Sequence, residues 1–88
     1  MGGIHEKMDF DKELDARGLS CPMPLVKARM ELNALAAGQV LKVVATDKGS
    51  VADFKGWSDA AAAVELVAQE TEAEGENTVF VHYLRKVS

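Results

Sequence analysis

The sequence predicts an α+β fold: a two-layer α/β sandwich, elements in the order β-α-β-α-β-β, with a four-stranded mixed sheet carrying two helices on one face. Three observations carry this expectation. The chain has 88 residues, enough for one modest core and not for two. Val40 to Thr46 alternates at the period of a strand, with Leu41, Val43 and Ala45 pointing one way. A segment opened by Pro22 and Pro24 repeats its apolar residues at the spacing of a helix, and a strand follows each of the two helical segments.

The elements follow in order. Phe10, Leu14 and Ala16 share one parity, with Lys12 interrupting, so a first strand is expected over Phe10–Ala16. Arg17-Gly18-Leu19-Ser20 is read as a loop in which Gly18 permits a positive φ. Proline is tolerated in the first turn of a helix, so Pro22 and Pro24 mark a helix start. Leu25, Ala28, Leu32 and Leu35 then share one buried face, and Gly38 is expected to end the helix. After the Val40–Thr46 strand, Asp47-Lys48-Gly49-Ser50 reads as a turn. Ser50 is the expected N-cap of a second helix running through Asp53 and Trp57 toward Ala63. A third strand is expected over Val64–Thr71, a turn over Glu74–Asn77 and a fourth strand over Thr78–Lys86. Val64 to Glu74 contains neither proline nor glycine, so a single helix reaching Glu72 is the alternative reading. Residues 1–8 read as a flexible N-terminal tail before a single domain over 9–88, and Met8 could itself be a natural start.

Composition narrows the function classes. The net charge is −4 with no dense Lys/Arg run, which weighs against direct nucleic-acid binding. Cys21 is the only cysteine, so an internal disulfide is excluded. With only His5 and His82 beside it, a four-ligand zinc site is a poor fit, and neither metal nor cofactor is expected. No apolar run reaches the length of a membrane span, and Met1–Phe10 carries no apolar signal stretch. The expected setting is the cytoplasm, where a free thiol stays reduced, and the expected state a monomer without membrane contact.

The informative segment is Asp15-Ala16-Arg17-Gly18-Leu19-Ser20-Cys21-Pro22-Met23-Pro24. It sets the lone cysteine at a helix entrance after a strand and a glycine-bearing loop. The positive end of the helix dipole favours thiolate over thiol, and the thiolate is the nucleophile. Pro22 and Pro24 lack N–H groups, so they stiffen the backbone while withholding donors. Arg17, Lys27 and Arg29 are the nearby cations that could add to the dipole. An exposed helix terminus contributes about 0.3–1 kcal/mol, less than one pKa unit. The plain alternative for Cys21 is a small buried core residue. Leu19 and Met23 flank Cys21 outside the Leu25-Ala28-Leu32-Leu35 stripe, which makes them, with Lys27, candidate partner contacts, although Leu19 could instead close the core below the loop.

Cys21-Pro22-Met23-Pro24 resembles the Cys-Pro-x-Pro signature of the TusA/SirA-like sulfur carriers. The resemblance extends through Asp15, Arg17-Gly18-Leu19, Leu32, Leu35, Gly38, Leu41 and Val43, then Asp47, Ser50, Asp53, Trp57 and the closing Phe80–Lys86 strand. The family often has Gly-His where the second helix ends; Ala62-Ala63 stands there in this chain. The resemblance implies a two-layer α/β sandwich similar to the C-terminal domain of bacterial translation initiation factor 3. It also implies that Cys21 holds sulfane sulfur as a persulfide, with Arg17, Gly18, Pro22 and Pro24 in support. The implied partners are a donor, either a cysteine desulfurase or a rhodanese-like protein, and a cysteine-bearing acceptor. The acceptor would serve tRNA thiolation, cofactor synthesis or sulfur oxidation.

No other residue reads as a catalytic base, so a carrier is expected rather than a stand-alone enzyme. The alternatives are a redox-responsive regulatory domain, for which no resolving cysteine exists, and a protein- or RNA-binding module. Trp57 and His82 are expected to pack rather than to react, and Glu70, Glu72, Glu74 and Glu76 to form a solvated hairpin.

Overall fold

Six elements cover the residues described in the computed structural model, 9–20 and 22–87. The expected tail over residues 1–8 lies outside the described residues, as do Cys21 and Ser88. The elements are β1 (Lys12–Ala16), α1 (Met23–Asn33), β2 (Val40–Ala45), α2 (Gly49–Ala60), β3 (Val64–Glu74) and β4 (Asn77–Lys86). The sheet order is β1-β2-β4-β3, with β1 parallel to β2 and β4 antiparallel to both of its neighbours. This is the expected mixed sheet.

Alternation sets the two faces. Leu41, Val43 and Ala45 of β2 and Leu84 of β4 meet Ala28 and Leu32 of α1 and Phe54 of α2 in one buried cluster. The opposite face is apolar too: Val44, Val79, Val81 and Tyr83 form a second cluster. Burying apolar surface at roughly 25 cal/mol per Å² makes the helix-facing cluster the main source of stability.

Local signals and observed boundaries part in several places. β1 begins at Lys12, since Phe10 is exposed with the Lys42 ammonium 5.1 Å above its ring. α1 ends at Asn33, well before Gly38. Its last carbonyls are taken by a distant side chain: Lys86 Nζ donates to the carbonyls of Asn33 (3.1 Å) and Leu35 (2.8 Å). Gly38 instead turns the chain into β2 at φ +91°, its N–H donating to the Lys86 carbonyl. Ser50 is not the N-cap of α2. The helix begins at Gly49, and the Ser50 hydroxyl is turned inward onto His82.

The helix-then-strand reading holds beyond α2. Ala61 is extended, and β3 pairs with β4 from Val64↔Lys86 to Glu74↔Asn77, with a bulge between Leu66 and Ala68. β3 therefore runs past the expected Thr71. Its backbone bonds to β4 outweigh the helix-forming tendency of the alanines and glutamates in this stretch.

Candidate functional site

Parallel pairing brings the C-terminal ends of β1 and β2 to the same end of the sheet, Ala16 beside Ala45. The antiparallel β3–β4 hairpin ends there as well, since Ala45 pairs with Phe80. Three connections therefore meet: the β1–α1 loop that carries Cys21, the β2–α2 loop and the hairpin tip. An open cleft of about 610 Å³ lies between them, with Gly18, Thr46 and Lys48 on one wall and Glu76, Asn77, Thr78 and Phe80 on the other.

Cys21 itself lies outside the described residues, but its flanks are held firmly. Ala16 is fully buried ahead of the loop, and Pro24 is fully buried behind it. Leu19 is half-buried and packs against the helix-facing core, its N–H donating to the Ala16 carbonyl at 3.2 Å. Gly18 adopts φ +82°, and its N–H donates to Thr46 Oγ1 at 2.9 Å, tying the loop to the end of β2. Met23 N–H donates to the Ser20 carbonyl at 2.8 Å. Pro22 stands at the N-cap of α1 with no side-chain cap bond, and Pro24 is the second helical residue. The fixed φ of proline suits that position, and its missing N–H leaves no helical bond unmade.

Arg17 forms a bridge. Its Nε and Nη2 donate to the two Glu74 carboxylate oxygens at 2.9 and 2.5 Å, and its Nη1 donates to Asp15 Oδ1 at 3.0 Å. Glu74 and then Asp15 hold the guanidinium above its ordinary pKa. The Arg17 backbone N–H, then its guanidinium, hold the Asp15 carboxyl below the usual carboxylate range. One cation is thus shared by two carboxylates, and its structural consequence is to fasten the cysteine loop to the hairpin. Lys27 and Met23 are both exposed on α1.

Neither the Arg17–Glu74 nor the Gly18–Thr46 pairing was read from the sequence, where Glu74 was expected only in a solvated hairpin and Thr46 only at a strand end. Glu74 lies 57 residues from Arg17 and Thr46 lies 28 from Gly18, and no local pattern joins either pair. Trp57 and His82 both pack inside: Phe54 lies 6.2 Å from Trp57 and 4.5 Å from His82, ring centre to ring centre. Among the described residues no group of three or more His, Cys, Asp or Glu side chains could hold a metal ion. No helix among them is long and apolar enough to cross a membrane.

Residues 12–86 match the family model described as sulfurtransferase TusA. The chain belongs to the TusA family. It is 39% identical over 83 residues to the sulfur carrier protein TusA of Pseudomonas syringae, covering 94% of this chain and 93% of the relative. It is 58% identical over 50 residues to the sulfur carrier protein TusA of Allochromatium vinosum, covering 57% of this chain and 66% of that one. The solved SirA-like protein of Desulfitobacterium hafniense shares the fold: TM-score 0.63 over 84% of this chain and 96% of that chain, at 21% identity. The family match spans the cysteine loop and all six elements.

Proposed function

We propose that this chain is a sulfur carrier in which Cys21 accepts sulfane sulfur as a persulfide and relays it to an acceptor protein. The observation that carries this reading is the anchoring of the Cys21 loop. Both flanks are pinned by buried Ala16 and Pro24 and by the Gly18–Thr46 bond, at a helix entrance beside an open cleft. Firmly held flanks beside an open cleft suit a thiol that partner proteins must reach.

The chemistry needs no oxidant. A donor persulfide presents its outer sulfur, and the Cys21 thiolate attacks it. The donor S–S bond breaks, and the donor thiolate leaves with the bonding pair. Cys21 now carries the persulfide. An acceptor thiolate attacks the outer sulfur in turn and releases Cys21 as thiolate. With the Arg17 charge shared by Glu74 and Asp15, activation of Cys21 rests mainly on the dipole of α1. Gly18, Pro22 and Pro24 support the loop, and Leu19, Met23 and Lys27 are the residues nearest in sequence that a partner would touch. The donor is a cysteine desulfurase or rhodanese-like protein, and a reducing cytoplasm would keep Cys21 free to accept.

Intact-mass analysis after incubation with a cysteine desulfurase and cysteine tests the reading. A reducible gain of about 32 Da, one sulfur atom, is expected for the wild type and not for Cys21→Ser, whose fold should be unchanged. A gain of about 16 Da in its place would indicate a sulfenic acid and refute the carrier. Loss of several kcal/mol of stability in Cys21→Ser would indicate a buried core thiol.

A further inference from the structure

The sheet has two apolar faces, and the helices cover one of them. α1 and α2 bring Ala28, Leu32 and Phe54 onto Leu41, Val43, Ala45 and Leu84. The opposite face of such a sheet ordinarily meets water and carries polar side chains. Here it carries Val44, Val79, Val81 and Tyr83, whose exposures are 3%, 1%, 1% and 0%. No element among the described residues lies over them.

Neighbouring side chains do not account for this burial. Tyr83 is paired with Lys42 on β2 and with Ala68 on β3. Ala68 is too short to close over a phenol ring, and the Lys42 ammonium is drawn to the Phe10 ring at 5.1 Å. The burial is that of a single copy of the chain, so the cover belongs to the chain itself.

Phe10 marks where that cover comes from. Lys42 stands on the open face, between Val40 and Val44, so the chain leading into β1 passes Phe10 beside that face. From β2, the strands β4 and β3 lie within about 10 Å. Residues 1–8, outside the described residues, reach up to about 26 Å when extended. They include Ile4 and Met8, apolar side chains suited to the valine row, and Lys7, opposite in sign to Glu70 and Glu72 of β3. Those two carboxylates stand on the open face, opposite Val81 and Val79, and are half-buried. Two copies meeting face to face would set these carboxylates against their own kind.

We propose that residues 1–8 form a strap across the open face of the sheet, with Ile4 and Met8 on the Val44–Val81–Tyr83 row and Lys7 toward Glu70 and Glu72. The strap gives the sheet its second cover. It also keeps the apolar row from pairing with another chain, as an exposed patch of this kind would.

Tyr83 is the only tyrosine, so its reactivity reports the cover directly. The test measures nitration of Tyr83 by tetranitromethane in the full chain, on a Cys21→Ser background that spares the thiol from the reagent. Tyr83 should resist nitration until urea unfolds the protein. Ile4→Asp combined with Met8→Asp should speed nitration about tenfold or more, with circular dichroism unchanged. Lys7→Glu should speed it at low salt, and added salt should bring the rate back toward the parent value. Lys55→Glu, exposed on α2, should leave it within about twofold. In nuclear magnetic resonance of the unsubstituted chain, the methyl groups of Ile4 or Met8 should show Overhauser contacts to the Tyr83 ring.

Rapid nitration of the folded parent would overturn the proposal and leave residues 1–8 a free tail. An unchanged rate in the folded double variant overturns it too. A dimer in sedimentation, with Tyr83 becoming reactive as dilution dissociates it, would assign the cover to a second copy and overturn the strap. Should the double variant fail to fold, the Overhauser contacts decide: their presence supports the strap and their absence overturns it.

Discussion

His82 should make stability fall as pH drops from 7 to 5. Its ring is fully buried on β4, stacked 4.5 Å from Phe54, and bonded at both nitrogens. Gln69 Nε2 lies 3.1 Å from Nδ1 and also donates to the Val51 carbonyl at 3.1 Å. Nδ1 must then accept, so the ring proton sits on Nε2 and is directed at Ser50 Oγ, 3.0 Å away. Protonating Nδ1 would set an N–H against the Gln69 amide donor, and turning that amide over would set its oxygen on the Val51 carbonyl. Burial pushes the His82 pKa down to about 4.

In the unfolded chain the value is about 6.5. Between these values the unfolded state binds more protons, so stability is complete above about pH 6.5 and drains away as pH falls toward 4. From pH 7 to pH 5 the loss is about 2 kcal/mol, on the order of 10 °C in Tm for a chain this size. Urea denaturation at both pH values, on wild type and His82→Gln, isolates the effect. Taking the difference between the two proteins at each pH removes whatever is common to both. A pH dependence that His82→Gln leaves unchanged would refute the assignment.

Phe54→Ala should destabilise the fold by about 3–5 kcal/mol in the same urea assay, because the ring is fully buried between Trp57 and His82. Gly18→Ala should lower stability by about 1–2 kcal/mol. A Cβ there meets nothing within 4 Å, so the cost is that of φ +82° alone, and Gly18→Asn should recover part of it. Glu74→Gln should shift Tm little, with the small shift vanishing at high salt, while loosening the cysteine loop enough to raise hydrogen exchange at the Gly18 amide.

The order of elements was legible because it rests on short-range pattern: alternation over Val40–Ala45, and proline at the head of α1. The misplaced boundaries share one cause. Gly38 and Ser50 are sound local signals for a helix end and a helix start, yet α1 is closed by Lys86, whose ammonium arrives from 53 and 51 residues away. Ser50 is drawn inward by His82, 32 residues distant. A buried hydroxyl needs a partner, and pairing it inside outweighs an exposed cap that a backbone turn can replace. Arg17 follows the same rule. Its nearness to Cys21 in sequence suggests a cation for the thiolate, while in space two carboxylates hold it. Gly18, Pro22 and Pro24 were legible, since each acts on its own backbone.

Which contact positions the cysteine loop can be settled by comparing kinds of force. The Arg17–Glu74 bridge is bidentate, but its side chains are 37% and 46% exposed, so water and salt screen it. The Gly18–Thr46 bond is one neutral hydrogen bond, worth about 1 kcal/mol net. Full burial of Pro24 and partial burial of Leu19 remove apolar surface from water on both sides of position 21, at roughly 25 cal/mol per Å² and with no screening by salt. The apolar anchors therefore set where the loop sits, the Gly18 bond sets its turn, and the ion pair trims its motion.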